Sequence, residues 1–139
     1  MAKTPVRLEV DGLEKREVSM VTYTFTQATD KEGQMAGIPR GGKITLRLKA
    51  LNDDKKQHEL LEWMLDPIKK MKGKIIFTKS TDGSDLKSIE FEDAYCVDYT
   101  ETWEDQTGEG AAALAHFEDI LLSCKIFTNG SAKYENDWF

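Results

Sequence analysis

Residues 86–103 read LKSIEFEDAYCVDYTETW, with apolar side chains on the odd numbers: Ile89, Phe91, Tyr95, Val97, Tyr99 and Trp103. Asp93 interrupts the series. A period of two marks a β-strand, because successive side chains point to opposite faces. A second long run, ALAHFEDILLSCKIFT (113–128), reads as a strand over 114–127. Its alternation blurs from Glu118 to Ile120, which predicts a bend there. Strands this long either curl into a barrel or cross between two packed sheets.

Shorter strands lie on either side. VRLEV (6–10) puts Val6, Leu8 and Val10 on one face, and Asp11-Gly12 then signals a turn. In KREVSMVTYTFT (15–26) the apolar parity switches from even (Val18, Met20) to odd (Val21, Tyr23, Phe25), which predicts a bulge near Met20 or burial on different faces. KITLRLKA (43–50) alternates cleanly, with Ile44, Leu46, Leu48 and Ala50 inward. KGKIIFTK (72–79) is a short apolar strand. A single helix is expected over about 54–65, capped by Asn52 or Asp53 and carrying the stripe Leu60, Leu61, Met64 and Leu65. Trp63 falls off that stripe, at the helix edge. Pro67 stops the helix, since it forces Asp66 out of the helical region. The expected fold is therefore mainly β (α+β): a compact barrel of two sheets with one lateral helix, in one domain over 1–139.

Composition narrows the function. The 139 residues carry a net charge of −6, with Lys and Arg scattered along the chain, which disfavours a general nucleic-acid binder. No run of ~18 apolar residues would insert in a membrane. The N-terminus lacks the apolar core of a standard secretory signal. Cys96 and Cys124 have no CxxC spacing and are expected to be reduced, half-buried thiols. Asn129-Gly130-Ser131 fits a glycosylation sequon, but without a secretory route it is a turn signal.

Chemistry-bearing motifs are few. GIPRGGKI (37–44) nearly spells a phosphate-binding loop, but Ile44 stands where a hydroxyl should and a strand follows instead of a helix. The glycines read better as a sharp lead into that strand. His58 sits on the polar side of the helix and His116 in a strand, with no nucleophile placed beside either. Glu90, Glu92, Asp93, Glu101, Glu104 and Asp105 decorate a solvated face or meet a neighbouring chain. No catalytic residue, cofactor or metal ligand is expected. Two features point instead to assembly. Trp138 and Phe139 end the chain in an aromatic pair that would dock on the domain or on a partner. QATDKEGQMAGIPRGG (27–42) is sixteen residues between strands, longer than loops that do nothing usually are. Its charges and its apolar Met35, Ile38 and Pro39 suit a projecting arm, the plainer alternative being a floppy surface loop.

The order and spacing of several pieces resemble the haemolysin-coregulated (Hcp, or TssD) family, the tube proteins of type VI secretion, in the form found in Bacteroidota. The pieces are LEVDGLEKREV (8–18), Tyr23, Gln27, Thr29-Asp30, Gly33, RGGKI (40–44), LLEWMLDP (60–67), KGKIIF (72–77), IEFEDAYCVDYTETW (89–103) and ENDW (135–138). The segment 104–117 matches no part of that pattern. The resemblance implies a non-enzymatic subunit that closes into rings of six, stacked as a hollow tube. A contractile sheath would surround it, a spike protein tip it, and effectors ride in its lumen. The chain would be cytoplasmic before firing and leave the cell without a signal peptide. The resemblance also implies that the long loop reaches neighbouring copies through Gln27, Thr29, Asp30, Lys31, Glu32, Met35, Ile38 and Arg40. Trp103, Glu104, Asp105, Trp138 and Phe139 are further expected contacts. A ring of six would carry six times −6. Exposed ion pairs contribute only about 0–1 kcal/mol each, so apolar burial would do most of the holding. The alternative is a monomeric barrel for a small ligand, with the loop as lid and Tyr95, Tyr99 and Trp103 in its pocket.

Overall fold

The computed structural model describes residues 6–49, 58–79, 84–104, 115–136 and 138. Seven strands form: β1 (Val6–Val10), β2 (Arg16–Tyr23), β3 (Lys43–Lys49), β4 (Met71–Thr78), β5 (Asp85–Glu104), β6 (Ala115–Asn129) and β7 (Ala132–Glu135). One helix, α1 (Glu59–Leu65), lies between β3 and β4. The strand order is β3-β2-β1-β4-β5-β6-β7, and β3 also pairs with β6. That extra pairing closes six strands into the expected barrel and leaves β7 outside, on the far end of β6. All pairings are antiparallel.

Closure needs one strand with two paired edges over most of its length, and β6 supplies it. Its β5 edge is paired along its length. Its other edge pairs with β3 from Phe117 to Ser123, then with β7 from Ile126 to Asn129. Inside the barrel, Ile44, Leu46 and Leu48 of β3 face Ile75, Ile89 and Leu122, all with no solvent exposure. On β3 the alternation holds as read, with Lys43, Thr45 and Lys49 exposed; Ala50 lies outside the described residues. The parity switch in β2 is a bulge: Val18 pairs with Leu48 and Met20 with Arg47, leaving Ser19 as the extra residue.

Elsewhere the expected faces are corrected. On β5, Ile89 and Phe91 point inward as expected, but Ala94 and Cys96 follow them, and Val97 is 43% exposed. Asp93 adopts φ 52, which turns the strand, and a register shift between Cys96 and Asp98 turns it back. Tyr99 is then packed against the core again. The odd-numbered stripe is thus broken twice. On β6, the ladder to β3 runs through 118–120 without a register shift, so no bulge accounts for the blurred alternation there. Glu118, Ile120, Leu122 and Cys124 are all buried, so the blur was a carboxylate on an inward position.

α1 begins at Glu59 after His58, later than the expected start near 54; residues 54–57 and both proposed caps lie outside the described residues. Its buried side chains are Leu60 and Trp63, whereas Leu61 and Leu65 of the expected stripe are 38% and 69% exposed. The helix packs on β5 through the phase Leu60–Trp63–Met64, spaced three and four apart. Trp63 is therefore core, its indole N–H donating to the Lys69 carbonyl at 3.1 Å. Asp66 is extended (φ −95, ψ 106) before Pro67, as the proline requires.

Candidate functional site

Between β2 and β3 the chain leaves the barrel as an arm (24–42) tied together by its own backbone. Thr26 and Arg40 exchange two hydrogen bonds of 2.9 and 2.7 Å. Further out the Ala36 N–H donates to the Ala28 carbonyl at 2.7 Å, and Thr29 bridges Met35. Asp30 makes the tip. Its Oδ1 accepts from the N–H groups of Glu32 (3.0 Å) and Gln34 (2.9 Å), while Gly33 supplies the left-handed residue at φ +84. The segment is thus an irregular two-stranded ribbon.

Every expected arm contact is exposed: Gln27, Thr29, Asp30, Lys31, Glu32, Met35, Ile38 and Arg40. Met35 and Ile38 are 65% and 66% exposed, and Gln27 reaches Met35 with its amide at 3.2 Å from the sulfur.

The root explains the two glycines. Gly42 has φ +88, and a Cβ there would stand 2.9 Å from the Cys124 carbonyl and 2.8 Å from the Asn136 amide. A Cβ on Gly41 would enter the ring of Phe25. Asn136 sits where β6 changes partner. Its amide donates to the Cys124 carbonyl at 3.0 Å, and its Oδ1 accepts from the Tyr134 hydroxyl at 2.8 Å. The Gly41 N–H donates to that hydroxyl at 3.3 Å, and the Cys124 N–H to the Gly42 carbonyl at 2.8 Å. Phe25 completes the root, edge-on to Phe127 and Tyr134 at 5.0 and 5.1 Å. Ile44 has no exposure and lies in the core. The glycines therefore serve close packing at the arm root, and the phosphate-loop likeness is coincidental.

The other expected contacts scatter. Trp103 is 60% exposed and packs, tilted by 49°, against the ring of His116 at 4.3 Å, whose Nε2 lies 2.6 Å from Glu101. Glu104 ends β5. Trp138 is half-buried and its ring packs against Tyr95, with centroids 5.7 Å apart. Asp105 and Phe139 lie outside the described residues. Tyr95, Tyr99 and Trp103 part company: against Trp138, against Glu118, and on His116.

Sequence reasoning missed Phe25, Tyr134 and Asn136 as the arm's anchor, and Lys43 beside it. The available signal was their crowding near Gly41-Gly42 on strands whose pairing the sequence left open. It also missed a buried Arg16–Glu118 pair, to which the Tyr99 hydroxyl adds a hydrogen bond. Burial, then the Glu118 carboxylate beside it, pushes the Tyr99 phenol well up. Both cysteines are buried free thiols, pushed up to about 12 by burial.

The sequence model of the family described as "Hemolysin coregulated protein Hcp (TssD)" matches residues 2–139. The chain belongs to the Hcp (TssD) family. No curated protein matches it. Among solved structures it is similar to Hcp1 from Flavobacterium johnsoniae, 27% identical, with a TM-score of 0.80 over 94% of this chain and 98% of that one. A mutant form of Hcp1 from E. coli EAEC 042 is 13% identical, with a TM-score of 0.71 over 98% of this chain and 100% of that one. Hcp1 from Salmonella typhimurium is 14% identical, at 0.68 over 94% and 93%. The last two share the fold alone. The chain is a tube subunit of type VI secretion.

Proposed function

We propose that six copies of this chain close into a ring, that rings stack into a hollow tube, and that the arm carries the contacts between copies. The whole chain, 1–139, acts as one tube-forming domain with no enzymatic activity. A sheath surrounds the tube, a spike caps it and effectors travel in its lumen. The chain is cytoplasmic until fired, and then leaves through the secretion system.

The observation that carries this reading is the arm itself. It is exposed from 24 to 40 apart from the half-buried Gly37, ordered by its own hydrogen bonds and locked at its root. A preorganised projection loses little entropy on docking. Met35 and Ile38 supply the apolar area that ion pairs cannot replace. A small-ligand barrel would need Tyr95, Tyr99 and Trp103 in one pocket, and their different partners argue against it.

Light scattering on a sizing column, with images of the same peak, tests the ring: particles near six times 15.8 kDa with a central hole are expected. Removal of residues 31–39 should leave the barrel folded and weaken stacking. Long tubes from that deletion, as abundant as from the intact chain, would overturn the role given to the arm.

A further inference from the structure

We propose that the groove at the arm root receives the arm tip of a second copy of this chain, with Arg40 and Lys43 held against the incoming Glu32. The inference rests on the proposed assembly and names a contact within it.

Four cations follow one another along the root and β3: Arg40, Lys43, Arg47 and Lys49. Two are neutralised at home. Arg47 meets Asp119 at 2.9 Å and Lys49 meets Glu17 at 3.7 Å. Among the described residues, Arg40 and Lys43 form no ion pair. Both line a groove of about 620 Å³ with Thr22, Thr26, Thr45 and Asn136. Hydroxyls and an amide beside two unneutralised cations form a surface for a carboxylate and the polar backbone around it. In a chain of net charge −6, such a groove attracts acidic segments of its own kind.

The tip offers the complement. Among the described residues Glu32 has no cation partner, and its backbone is fixed by the Asp30 turn. The tip cannot fold back on its own root. The bridges Thr26–Arg40 and Thr29–Met35 run outward in order and hold the two ends apart. The occupant is therefore another copy. An apolar cleft of about 250 Å³, lined by Phe25, Pro39, Phe127 and Tyr134, adjoins the same root and suits the exposed Met35 of the incoming tip. A tip-in-root contact joins unlike surfaces, so each copy that receives a tip still has its own to offer, and the contact propagates along a stack. Lys31 adjoins Glu32 and offsets part of the attraction.

Charge reversal tests the contact, and these exposed side chains can be changed without unfolding the barrel, which circular dichroism verifies. At about 50 mM salt, Glu32→Lys, Arg40→Glu and Lys43→Glu should each lower the ratio of stacked to single rings in sedimentation velocity by about tenfold. The double variant Glu32→Lys/Lys43→Glu, in which Arg40 still faces the new cation, should recover part of that loss, and Lys31→Gln should raise the ratio. Single reversals that stack like the parent, or a double variant no better than its components, would overturn this contact while leaving the ring assembly standing. A parent chain that stays monomeric would overturn both readings.

Discussion

The Arg16 guanidinium is closed onto the Glu118 carboxylate inside the barrel, across 102 positions of sequence, with both side chains almost wholly shut off from solvent. Arg16 also donates to the Lys49 carbonyl at 3.1 Å, and the Tyr99 hydroxyl donates to the second Glu118 oxygen. One cluster thus ties together β2, β3, β5 and β6 near the seam. Removing one partner of a buried pair leaves the other charged in a low-dielectric site, which costs about 3–5 kcal/mol. Glu118→Ala and Arg16→Ala should each lose that much in urea unfolding. Arg16→Met/Glu118→Leu should come out near neutral or better, because both desolvation costs vanish together. Tyr99→Phe removes one hydrogen bond to a charged group and should lose only about 1.5–3 kcal/mol. A Glu118→Ala variant as stable as the parent would mean the pair does not close the seam.

Gly42 and Asn136 make a second prediction. A Cβ at Gly42 meets backbone and amide at under 3 Å, and the left-handed conformation alone costs an L-residue about 1–2 kcal/mol. Gly42→Ala should therefore lose more than that, while Gly33→Ala, with open space around it, should lose only the conformational part. Asn136→Ala leaves the Cys124 carbonyl and the Tyr134 hydroxyl short of partners and should cost about 1–3 kcal/mol. Limited proteolysis reads the local effect: cuts within 24–42 should rise in both root variants before the barrel itself unfolds.

These two sites mark where sequence reading ran out. β3 was legible because one face is aliphatic and the other hydroxyl or charged. The Ser19 bulge was legible because apolar residues on both sides of it record the change of parity. On β5 the change falls at Asp93, and the inward residues that follow are Ala94 and Cys96, too small and too mildly apolar to announce a new face. Nothing near Glu118 in sequence says that Arg16 will meet it, so the break in alternation read as a bend. For the helix, the phases Leu60–Trp63–Met64 and Leu61–Leu65 both satisfy the periodicity, and only the presence of β5 chooses between them. The arm was legible as an unusually long, glycine-bearing stretch between strands. Its internal ladder was not, because it rests on backbone bonds and an Asx turn with no apolar pattern.

The buried thiols give a pH prediction. Burial raises Cys96 and Cys124 to about 12 in the folded chain, above the ordinary thiol near 8.5–9. Between those values the unfolded chain has released protons that the folded chain keeps, so stability falls as pH rises, at about 1.4 kcal/mol per unit for each thiol. Below the ordinary thiol value this contribution is fully present. Unfolding free energies from pH 8 to 11 should therefore decline more steeply for the parent than for Cys96→Ala/Cys124→Ala. Native thiols should also resist a disulfide reagent at pH 8 and react at once in denaturant. Rapid labelling of the native chain would contradict their burial.

The likeness of residues 37–44 to a phosphate loop can be tested by completing it. Ile44→Thr restores the hydroxyl that the motif lacks. The side chain at 44 is wholly buried on the inner face of β3, so the hydroxyl would enter the core rather than meet a metal ion. No helix N-terminus follows to bind the anion, and the Gly41 N–H already donates to Tyr134. The variant should bind no ATP by calorimetry. It should instead lose about 1–3 kcal/mol of stability, the cost of placing an unsatisfied hydroxyl among aliphatic side chains. Measurable nucleotide affinity in Ile44→Thr would mean that these glycines form an anion cradle after all, and the reading of Gly42 as a close-packing residue against Asn136 would fall with it.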